Sequence, residues 1–134
     1  MLLGTSSWAA PYGAFSYGEG LGRYLVGIVP AAGAFIDTEA GTLTPRENLG
    51  GLIGVRHQWN AACRSSVVYS YAEAENDPRQ PASAFRDSSF TLGNVLCKAN
   101  RFLTIGLEVN CGTRQNRDGS DKDNLRLMFG MQLF

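Results

Sequence analysis

The chain has 134 residues, 44% of them hydrophobic and 18% charged, which suits one folded domain and excludes a disordered chain. Its 12 Lys and Arg balance its 12 Asp and Glu, so no net field recruits a nucleic-acid backbone or an anionic lipid surface, and any charge-based role must be local. No stretch approaches the ~18 apolar residues of a membrane-spanning helix, but a spanning strand needs only about 9 to 11 residues with every second one apolar.

The N-terminal Met1-Leu2-Leu3-Gly4-Thr5-Ser6-Ser7-Trp8 lacks the basic segment and long apolar run of a secretion signal. For an exported protein this points to a fragment. Within residues 1–48, a loop-rich part with one or two strands, only residues 14–17 and 23–28 read as extended. Residues 30–45, with Thr38-Glu39-Ala40-Gly41 as a turn, read as a long loop that carries a small hairpin of its own.

From residue 49 to residue 134 the apolar residues recur with period two, the pattern of a five-strand antiparallel meander. Ile53, Val55, His57 and Trp59 alternate with Leu52, Gly54, Arg56 and Gln58. Ser65, Val67, Tyr69 and Tyr71 oppose Arg64, Ser66, Val68 and Ser70. Residues 90–98 form the weakest strand. Leu103, Ile105, Leu107 and Val109 stand against Thr104, Gly106, Glu108 and Asn110, and Leu125, Leu127, Phe129, Met131 and Leu133 against Arg126, Met128, Gly130 and Gln132. Residues 60–62 and 99–101 read as tight turns, whereas 75–87 and 115–123 read as long polar loops. Short turns at one end and long loops at the other are expected of an outer-membrane barrel.

Lipid cannot satisfy an exposed N–H or C=O, so a spanning sheet must close and turn apolar side chains outward. On that reading the inward set is Arg56, Arg64, Glu108, Asn110, Arg114 and Arg126, a pore lining that leans basic and favours anions mildly. Trp59, Tyr69, Tyr71 and Phe134 fall near strand ends, where interfacial aromatics lie. A soluble half-buried sheet produces the same alternation. A small soluble β-protein that binds a ligand or partner, or a non-functional truncated remnant, therefore stands as the alternative.

Tyr17-Gly18-Glu19-Gly20-Leu21-Gly22-Arg23-Tyr24, Val55-Arg56-His57-Gln58-Trp59-Asn60, the run from Arg64-Ser65-Ser66 to Tyr69-Ser70-Tyr71, and Arg117-Asp118-Gly119-Ser120 before a terminal Phe134 together resemble DcaP-like trimeric porins. The likeness covers most of the chain from about residue 15. It implies an all-β fold, the C-terminal part of a transmembrane β-barrel of the porin type. It further implies a bacterial outer-membrane location, a homotrimer when full length, and passive diffusion of small, anion-leaning solutes with membrane lipid as the other partner. Nucleic acid, cofactors and metals have no place in that picture. Two departures stand out: the chain is far shorter than a whole porin, and Phe134 falls out of register with the outward row ending at Leu133.

No residue set points to an enzyme. His57 sits on the apolar parity beside Trp59, away from any Ser or Asp motif. The Asp118-Gly119-Ser120-Asp121-Lys122-Asp123 run lacks the spacing and terminal Glu of a calcium loop and reads as an exposed turn. Gly18, Gly20 and Gly22 do not follow a strand-to-helix phosphate pattern. Cys63, Cys97 and Cys111 share the outward parity. If the connection between their strands centres near Pro81, Cys63 and Cys97 face each other across neighbouring strands, where a disulfide is possible.

Overall fold

A computed structural model of the chain describes residues 8–21, 34–37 and 41–134. The expected extended segment at 23–28 and most of the turn at 38–41 lie outside these. The described residues form eight strands: β1 (Trp8–Glu19), β2 (Ala34–Asp37), β3 (Thr42–Pro45), β4 (Glu47–Gln58), β5 (Cys63–Ala74), β6 (Phe85–Lys98), β7 (Leu103–Asn116) and β8 (Asp121–Leu133). Strands β2 and β3 make a separate hairpin, and the other six form one antiparallel sheet in the order β1-β4-β5-β6-β7-β8. The fold is therefore all-β and antiparallel, and β4 to β8 run as a meander of nearest neighbours.

Three features differ from the sequence reading. β1 spans twelve residues although Pro11 and Gly13 make it look like a poor strand. Gly20 N–H bonds Arg46 O at 2.9 Å in the β1–β4 register, so the even residues of β1 face β4 and Pro11 turns its missing N–H to the free edge, where it breaks no ladder bond. Second, no long loop covers 115–123. β7 continues to Asn116 and β8 starts at Asp121, leaving a four-residue turn at 117–120 in which Gly119 has φ +80° and Asp118 accepts from the Ser120 N–H at 2.9 Å. Third, β6 begins at Phe85, which shortens the preceding loop to residues 75–84.

A bulge between Phe85 and Asp87 shifts the β6–β7 register. An extra residue in one strand re-aims the side chains that precede it, and Phe85 thereby joins the face opposite Asp87. There it is 3% exposed and forms, with Ala72 and Ala74, the only buried apolar cluster among the described residues. Arg46 is buried beside it and donates to Glu75 O at 2.8 Å and to Asn76 Oδ1 at 3.0 Å; its burial draws the guanidinium pKa down. The Arg114 guanidinium lies 5.5 Å from the Phe85 ring centre. This small core sits at the loop end, and among the described residues no larger apolar core backs the sheet.

Candidate functional site: two faces of one sheet

Cross-strand register sorts the side chains into two faces, since successive residues of a strand point to opposite sides. One face carries the odd-numbered residues. Leu103, Ile105, Leu107, Val109 and Cys111 pair with Leu133, Met131, Phe129, Leu127 and Leu125, and Val95, Val67, Val55, Ile53, Phe15 and Tyr17 extend the same surface across the sheet. Among the described residues nothing covers it: Leu127 is 75% exposed, Ile53 65%, Phe15 71%. On β8 the apolar row from Leu125 to Leu133 runs eight residue steps, about 27 Å at the usual rise.

The apolar band is not level. On β8 it stops at Leu125, which shares a pairing row with Cys111, Thr91, Tyr69, Ile53 and Gly13. On β1 it continues to Tyr17, whose row runs through Leu49, Glu73, Asp87 and Gln115 to Asp121. It climbs four residues over five inter-strand steps, about 13 Å in about 24 Å, a slope of roughly 30°. Beyond its upper edge the same face carries Glu19, Glu47, Glu73, Asp87, Asp121 and Asp123, and Arg86, at the β6 bulge, pairs with Asp87 at 3.5 Å.

The other face is polar and basic. All of Arg56, Arg64, Glu108, Asn110, Arg114 and Arg126 fall on it, as do Lys98 and Lys122, which the sequence reading missed. Glu108 is its only acid within the six-stranded sheet. Arg114 and Lys122 are directly opposite each other, an arrangement in which like charges repel unless water or an anion screens them. They border a hollow of about 570 Å³ also lined by Ser16, Leu52, Ser70, Ser88, Phe90 and Asn124. β1 and β8, the two edges, both contribute to it, so the sheet curls with the basic face concave.

Glycines let large side chains lie flat on this concave wall. The Tyr12 ring crosses Gly54, where an added Cβ would come within 2.7 Å of it, and Leu96 crosses Gly106, where an added Cβ would collide with its Cδ2. Small residues beneath aromatic or branched neighbours are a recurring device in curved sheets.

Of the aromatic set, Tyr69 and Tyr71 lie on the apolar face toward the loop end, with the Tyr71 hydroxyl donating to Glu73 Oε2 at 3.0 Å. Phe15 and Tyr17 accompany them, unforeseen because β1 was not read at its full length. Trp59 lies in the β4–β5 turn, its ring 4.2 Å from that of His57 and its Nε1–H donating to Ser65 Oγ at 3.0 Å. Phe134 follows β8 at the same end, its N–H on Phe102 O at 3.0 Å, which gives it the parity of the polar face; Phe102 itself is exposed there. Aromatics thus mark both ends of the apolar band.

Cys63 and Cys97 pair directly across β5 and β6 and are joined as a disulfide, with Cα atoms 4.2 Å apart. Lys98 N–H bonds Ala62 O in the adjacent pair, so the cysteines occupy a non-hydrogen-bonded pair, where strands approach most closely. Cys111 is free and exposed on the apolar face.

Comparison with known protein families, curated proteins and solved structures finds no match for this chain.

Proposed function

We propose that this chain forms part of the wall of a transmembrane β-barrel, a conduit of the porin type in a bacterial outer membrane that passes small, preferentially anionic solutes. The carrying observation is the uncovered apolar face, backed by a concave basic one. A soluble sheet buries its apolar side against a second layer; a barrel in lipid leaves that side to hydrocarbon and turns the polar side to water. The dimensions agree. A row about 27 Å long on strands inclined at roughly 30° spans about 24 Å of bilayer, close to the ~25 Å apolar band of such barrels. The slope itself is what tilted, staggered strands require if the band is to stay parallel to the membrane.

The resemblance to DcaP-like porins supplies the expectation of a closed, trimeric assembly at full length. The solute preference comes from Arg56, Arg64, Lys98, Arg114, Lys122 and Arg126 sharing the concave face with one carboxylate.

The test is reconstitution. Protein refolded into planar bilayers should conduct, with a reversal potential in a KCl gradient that indicates chloride preference, and Arg114→Gln with Lys122→Gln should reduce that preference severalfold. A monodisperse monomer that needs no detergent and carries no current would defeat the proposal and favour a soluble ligand-binding sheet.

A further inference from the structure

Glu108 is the lone acid on a basic face, and its surroundings are built for something other than an internal ion pair. Asn110 Nδ2 donates to its Oε1 at 3.0 Å and Asn94 Nδ2 to its Oε2 at 3.4 Å. Both amides are then left with an oxygen that is buried and has no partner, Asn94 Oδ1 and Asn110 Oδ1, and Asn110 is only 5% exposed. Buried carbonyl oxygens without a donor are costly. Arg126 lies opposite the neighbouring Asn110, yet the ion pairs among the described residues are Arg79–Asp77 and Arg86–Asp87, and Glu108 is in neither.

The carboxylate opens on a second hollow of about 380 Å³, separate from that of Arg114 and Lys122. Thr104, Gln132 and Asn94 give it polar edges, and Leu96 and Met128 give it an apolar wall. Gly106 pairs with Gly130, and an added Cβ at Gly130 would meet nothing within 4 Å, so the space is open.

We propose that this hollow is a binding subsite for primary alkylammonium groups. A carboxylate flanked by two unpartnered amide oxygens offers acceptors in excess, and –NH3⁺ brings three donors. A half-turn of either amide exchanges Nδ2 for Oδ1, so each can turn its oxygen toward a cation held at Glu108. The wall of Leu96 and Met128 takes the alkyl chain. This rests on the concave face being water-filled, and it means that a conduit biased toward anions also holds the positive end of a zwitterion about 20 Å along β7 from Arg114.

The experiment is an NMR titration of the refolded full chain in detergent micelles with n-butylammonium chloride, observing the side-chain amides of Asn94 and Asn110. Saturable shifts of those signals are expected, with affinity at least tenfold weaker in Glu108→Gln and stronger in Asn110→Asp, while uncharged n-butanol leaves the amides unmoved. No saturable shift in the parent chain, equal affinity in Glu108→Gln, or displacement by butanol would overturn the subsite. Bilayer currents are scored separately: binding without conduction removes the conduit and spares the subsite, and conduction without binding does the reverse.

Discussion

At the scale of single residues, the Cys63–Cys97 bridge closes a span of 34 residues between adjacent strands. In the chain-entropy account such a cross-link stabilises by at most about 4 kcal/mol, less if the unfolded chain keeps hairpin structure. Replacing both cysteines by Ala should therefore lower the unfolding free energy by about 2–4 kcal/mol, read as a lower urea midpoint in micelles, and reductant should shift the parent chain but not the variant. A second residue-scale effect sits in the 75–84 loop, where the Arg79 side chain and N–H both bond the Asp77 carboxylate and hold its pKa at about 2 against 3.8. A depressed carboxylate pKa stabilises the folded loop above the unfolded value and ceases to as pH falls through the folded one. Pepsin nicking of the loop should thus increase as pH falls from about 4 to about 2, and Asp77→Asn should remove that pH dependence while leaving the loop easier to cut throughout. The cysteine pairing was legible because strand parity and hairpin centre predict it together. Phe85 was not: it faces inward only because of a bulge, and a one-residue insertion leaves no mark in a periodic pattern.

At the scale of elements, the two faces of β7 make opposite demands on one charged side chain. Leu107→Arg places a guanidinium mid-band on the apolar face, where the proposed lipid contact would impose about 2–4 kcal/mol; Thr104→Arg places it on the concave face beside Lys98 and Gln132. The first variant should lose most of its folded, heat-modifiable fraction in refolding assays with lipid vesicles, and the second should retain it. Equal yields from both would mean that lipid does not cover the odd-numbered face. On the concave side, Gly54→Ala should destabilise by about 1–3 kcal/mol because its Cβ meets the Tyr12 ring, and Tyr12→Ala in the same chain should restore most of the loss in urea unfolding. The alternation that exposed β7 and β8 to sequence reasoning is strong because every odd position there is apolar from Leu125 to Leu133. β1 escaped it, since Pro11 and Gly13 are strand-breaking residues except at an edge. The turn at 117–120 escaped it too, because polar residues in a strand's last turn and in a loop look alike until the register is known.

At the scale of the whole molecule, a chain of zero net charge separates most of its strand charges by face: bases on the concave side with Glu108 alone among them, acids beyond the apolar band on the convex one, where Arg86 pairs with Asp87. Parity within each strand revealed Arg56, Arg64, Glu108, Asn110, Arg114 and Arg126 as one set. The acid row and the Arg114–Lys122 opposition needed pairing between strands, which single-strand periodicity does not carry. The same register defines what a closed barrel must do. Phe134 N–H on Phe102 O fixes the even residues of β8 as those facing β7, so Leu125, Leu127, Phe129 and Met131 direct their N–H groups to the free edge. In hydrocarbon an unpaired N–H costs several kcal/mol, and closure by a further strand is the remedy that lipid permits. Hydrogen exchange of the protein assembled in lipid bilayers should therefore protect these odd amides as strongly as the even ones at Arg126, Met128 and Gly130. Protection confined to the even amides would leave β8 an open edge, and the sheet could not be the wall of a sealed pore.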